Sequence, residues 1–95
     1  MDQEQREKKY NEVFKAMYRY LEQRRRDDAT FNIARLEDML NAAYFRQGDD
    51  WLGKGVLYEI KMAATVAAYE SYLAAWREEE EQGGKQVNHQ SNKAS

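Results

Sequence analysis

Residues Gly55–Trp76, GVLYEIKMAATVAAYESYLAAW, constrain the fold more than any other stretch. Met62, Val66, Tyr69, Leu73 and Trp76 recur at helical spacing, and Tyr58 extends this seam one step back. A second stripe, Ile60, Ala63, Ala64, Ala67 and Ala74, runs beside the first and is rich in small residues. A surface helix needs one apolar stripe, whereas two require cover from several neighbours. The stretch therefore reads as the central helix of a small all-α domain.

The rest of the chain agrees with that reading. Ninety-five residues suit one small domain, and the absence of proline with only five glycines favours helices over elaborate turns. Without cysteine there is neither a disulfide framework nor a thiolate metal site. Met1–Lys9 is polar and charged with no apolar segment after it, and Glu59, Lys61, Glu70 and Ser71 interrupt the longest apolar run. A protein without membrane attachment and with a cytoplasmic address is expected.

Tyr10, Val13, Phe14, Met17 and Leu21 follow the helical period, with Tyr18 and Tyr20 flanking it, so a first helix is expected over about 8–26. Arg24, Arg25 and Arg26 suit its last turn, where the macrodipole favours cations, and Asp27 or Asp28 suits the start of a second helix. Thr30 and Asn32 are rival caps, and with no glycine or proline at the junction a continuous helix is the competing reading. The second helix, about 29–47, carries Ile33, Leu36, Leu40, Ala43 and Tyr44, and Gly48 suits a left-handed position after it. Gly53 and Gly55 would then turn the chain into the third helix, about 55–81. Gly83–Gly84 closes residues 1–82 as one domain, and the polar segment 83–95 is expected to be disordered. The fold class is an all-α three-helix bundle with a disordered C-terminal tail.

Chemistry-bearing constellations are sparse. Gly48–Gly55 resembles a phosphate loop only in its glycines and Lys54. It follows a helix rather than a strand, places Gly55 where a hydroxyl residue is needed, and holds Asp49 and Asp50 where phosphate would sit. Those two aspartates lack the alternating spacing of a calcium loop and read as a helix cap. The lone histidine, His89, falls in the tail, and no base is identifiable for Ser71. No catalytic residue, cofactor or metal ligand is assigned, and the expected function is non-catalytic.

Charge and aromatic content suggest partners instead. Arg6 to Arg26 hold eight cations against Glu7, Glu12 and Glu22, while Asp27 to Gln82 hold twelve acids against five cations. The uneven distribution suits complementarity within or between chains, or an anionic partner for the basic helix. Twelve aromatic residues also exceed what three short helices readily bury, and aromatic side chains and methionine are enriched at interface cores. The expected interface residues are Tyr58, Met62, Tyr69, Tyr72, Trp76 and Phe45, and Ala67→Leu is expected to disturb close helix packing. The candidate anion contacts are Arg24, Arg25, Arg26 and Arg19. A small interaction or adaptor protein that associates with itself or with another protein is thus expected. The alternative is a nucleic-acid-associated regulator that uses the basic face of helix one.

Overall fold

The computed structural model describes residues 1–48 and 55–94, with side chains described as far as Gly83. Among these residues there are three helices and no strand: α1 (Gln3–Asp27), α2 (Ile33–Gly48) and α3 (Val56–Ala94). The reading of Asp49, Asp50, Gly53 and Lys54 lies outside the described residues. The backbone of α3 continues past Gly83 to Ala94, and the tail expected over 83–95 otherwise lies outside them as well.

Helix α1 starts earlier than its apolar period because polar residues cap it. The Gln5 amide donates to the Asp2 carboxylate at 2.8 Å, and the Gln5 side chain accepts from the Asp2 amide at 3.3 Å. This reciprocal pair satisfies amides that the first helical turn leaves without partners. The expected break after the arginines is present, and two of the candidate residues, Asp28 and Asn32, make it. Asp28 closes α1, and its carboxylate accepts from the Thr30 amide at 2.9 Å and the Thr30 hydroxyl at 2.6 Å. Such side-chain bonds offer the backbone an alternative to continuing the helix. Asn32, rather than Asp27, Asp28 or Thr30, then caps α2 by accepting from the Arg35 amide at 2.9 Å. Gly48 does not take a left-handed conformation and ends α2 as a helical residue, whereas Gly55 has φ +100° and carries the chain into α3.

The pairings across the bundle fix its topology. Tyr18 packs on Tyr72, and Arg25 pairs with Glu79 at the same separation of 54 residues, so α1 and α3 run parallel. Glu37 pairs with Arg77 across 40 residues and Tyr44 with Glu70 across 26, so α2 runs antiparallel to both. Helix α3 packs on α1 and α2 alike, as its two stripes require.

Leu21 and Leu36 are fully buried where the three helices meet, with Leu40, Val66 and Leu73 around them. Phe31, carried by the link between α1 and α2, enters the same core. Along the line between α1 and α3, Ala64 and Ala68 are 0% exposed, while Ala67 one position away is only partly covered. Of the alanines expected to allow close helix approach, Ala64 and Ala68 are the ones fully covered. The 100° offset of Ala67 from Ala68 on the helix turns it away from α1.

Two substitutions test this assignment. Ala68→Leu should overpack the α1–α3 line and lower stability by about 1–3 kcal/mol, whereas Ala67→Leu should leave the packing of α1 on α3 undisturbed. Denaturant midpoints compared at unchanged m-value would show it.

Candidate interaction site

The arginine cluster divides into two parts. The Arg24 guanidinium lies 4.8 Å from the centroid of the Phe31 ring, donates to the Tyr20 hydroxyl at 3.3 Å, and places its Nε 3.5 Å from the Asp28 carboxylate. Arg25 lies 4.2 Å from the Trp76 ring centroid and donates to the Glu79 carboxylate at 3.2 Å. Both guanidiniums thus act as polar lids over buried rings, an arrangement favoured by the electron-rich ring face. The Tyr72 hydrogen bond is the largest influence raising the Arg25 pKa; burial opposes it and Glu79 adds to it. Arg24 and Arg25 are therefore engaged by partners within the chain. Arg19 and Arg26 are exposed and form no ion pair among the described residues.

The expected interface residues separate in the same way. Tyr69, Tyr72 and Trp76 are 9%, 6% and 6% exposed and belong to the core of the chain. Tyr72 contacts Tyr18 edge-on at 5.0 Å and Trp76 edge-on at 5.9 Å, and Trp76 packs on Phe31 at 5.7 Å. These aromatic side chains fill the core together with Leu21, Leu36, Leu40, Val66 and Leu73. Met62 packs against the core and Tyr58 is half-buried, whereas Phe45 is 75% exposed. Burial raises the Tyr69 pKa, and it is also the first cause of the raised value at Tyr18.

What remains outside includes a surface of α1 and the side of α3 opposite the core. On α1, Phe14 and Tyr18 stack with centroids 6.0 Å apart, and with Lys15, Arg19 and Glu22 they line a shallow groove. A second shallow groove nearer the start of α1 is lined by Gln3, Arg6, Glu7, Tyr10, Asn11 and Ile60. The side chains of α3 that meet α1 include Tyr72 and Glu79, and those that meet α2 include Glu70 and Arg77. Helical geometry places Ala63, Ala67, Ser71 and Ala74 on the remaining face, and all four are exposed or only partly covered. No charged residue falls on that face between Ile60 and Glu78. The four-residue spacing of Tyr10, Phe14 and Tyr18 was visible in the sequence; the contact of Tyr18 with Tyr72 was not.

Among the described residues, no group of three or more histidine, cysteine, aspartate or glutamate side chains is placed to hold a metal ion. No described helix is long and apolar enough to cross a membrane.

The Asp28 turn has a pH signature. The Thr30 hydroxyl and amide, then Arg24, hold the Asp28 carboxyl below its ordinary value, with desolvation opposing them. A depressed pKa adds stability that is present above the unfolded value and lost as pH falls through the folded one. The melting-temperature gap between wild type and Asp28→Ala should therefore be constant near neutral pH. It should close as pH falls below about 4, the ordinary range of an aspartate. Thermal melts of both proteins across an acid series would measure the gap. No family model matches the chain, and neither a curated protein nor a solved structure is significantly similar to it.

Proposed function

We propose that this is a small non-catalytic helical interaction protein that associates with itself through the outward face of α3. The observation that carries this reading is the uncharged run Ile60, Ala63, Ala67, Ser71 and Ala74 on a face that α1 and α2 leave open. Small side chains let a second helix approach closely, so contact area accumulates even where each residue contributes little. Phe45, Val56 and Leu57 add exposed apolar surface nearby in sequence to the two ends of the connection between α2 and α3. A cytoplasmic address accords with this reading.

A second reading has its own observation. Lys15, Arg19 and Arg26 project from α1 without ion pairs among the described residues, and such a row suits a phosphate backbone. The whole chain has a formal charge of −2, which disfavours broad attraction to nucleic acid.

Light scattering on the full chain separates the two. Self-association predicts a dimer or larger species that Ala67→Glu or Ala74→Glu converts to monomer while the helical circular dichroism is retained. A wild-type protein that stays monomeric at high concentration would sink the proposal. Binding of a nucleic-acid duplex that falls steeply with salt would then favour the second reading.

A further inference from the structure

Among the described residues, the chain carries two opposite charge surpluses that its own fold does not bring together. Lys8, Lys15, Arg19 and Arg26 follow one another at spacings of seven, four and seven, so they form one outer row on α1. All four are exposed, and none forms an ion pair among the described residues. Lys15 and Arg19 border the groove that holds the stacked Phe14 and Tyr18. At the other extreme, Glu78, Glu80 and Glu81 are exposed on α3 just beyond its apolar run and form no ion pair among the described residues. Glu79 alone of that acidic run reaches a cation of α1, Arg25.

Resting on the self-association reading above, we infer that the occupant of the α1 groove is α3 of a second copy, docked antiparallel about a two-fold axis. Because α1 and α3 run parallel within the chain, a perpendicular two-fold sets α1 of one copy antiparallel to α3 of the other. The acidic end of α3 then lies against the amino-terminal half of α1, where Lys8 and Lys15 project. The small residues of α3 meet Phe14 and Tyr18, and lysine stems can lie along the alanines while their ammonium groups reach the glutamates. The apolar contact supplies affinity and the charges set register and direction. The two-fold makes this exchange reciprocal, so every such contact occurs twice.

A charge-exchange experiment tests the arrangement. Lys8→Glu/Lys15→Glu and Glu78→Lys/Glu81→Lys change only exposed side chains, and circular dichroism with thermal melts would verify that each variant folds. Each variant alone should self-associate at least about tenfold more weakly than wild type, because like charges then face each other at both symmetric contacts. Mixed in equal amounts, the two variants should form a heterodimer as tight as the wild-type dimer. Wild-type self-association should also weaken with added salt. A wild-type dimer unaffected by both reversals and by salt would overturn this docking mode and leave self-association standing. A mixture no tighter than either variant alone would overturn it as well. A wild-type protein that is monomeric throughout would remove both proposals.

Discussion

The fold depends on one geometric problem: α3 has apolar or small side chains around most of its circumference, and among the described residues two other helices are there to cover it. The solution is asymmetric. Helix α1 lies parallel along the line of Ala64, Ala68 and Tyr72, and α2 returns antiparallel along Val66, Leu73 and their neighbours. The fully covered alanines let α1 come close, and the large side chains fill the wedge between all three helices. Two neighbours on roughly half of a cylinder leave the other half open, and the run of Ala63, Ala67, Ser71 and Ala74 lies there. The unpartnered face is thus a consequence of the core, not a separate feature added to it.

A second constraint follows from core composition. With Leu21, Leu36, Leu40 and Leu73 as the main buried aliphatic side chains, much of the remaining volume comes from Phe31, Tyr69, Tyr72 and Trp76. Rings at the end of a small bundle expose a face or an edge to water, and Arg24 and Arg25 close that end by lying over Phe31 and Trp76. Each guanidinium keeps polar partners, Tyr20 and Asp28 for Arg24 and Glu79 for Arg25, so it is not stranded on an apolar surface. The same residues that terminate α1 favourably in its dipole thereby complete the core. That shared duty explains why the arginine triplet splits, with Arg26 left outside.

Legibility from sequence varied with how local the cause was. The central place of α3 followed from the spacing of Met62 to Trp76, a property of that stretch alone. The break near Asp28 was visible as a change in charge. Its mechanism was less visible, because Asp, Thr and Asn are all competent caps and only the path of the chain selects among them. Asn32 rather than Asp27 or Thr30 caps α2, since the Asp28 carboxylate is already committed to Thr30. The early start of α1 rests on the Asp2–Gln5 exchange, a signal of polar residues that an apolar period does not register. The pairs Tyr44–Glu70 and Glu37–Arg77 depend on the register of α2 against α3 and had no local signature at all.

By itself the sequence determined the secondary structure class, the three periodic segments and the identity of the helix that needs most cover, because propensity and spacing act within one or two turns. Tertiary structure decided which aromatic residues are inside and which arginines are free. Tyr72 and Phe45 both lie off the principal stripes, yet Tyr72 is buried and Phe45 is exposed. The difference arises because α1 lies against one side of α3, while among the described residues nothing lies against the outer side of α2. Burial of a side chain on a two-stripe helix depends on the direction from which each neighbour arrives. That direction is set by contacts tens of residues apart, such as Arg25 with Glu79, and not by the residues beside it.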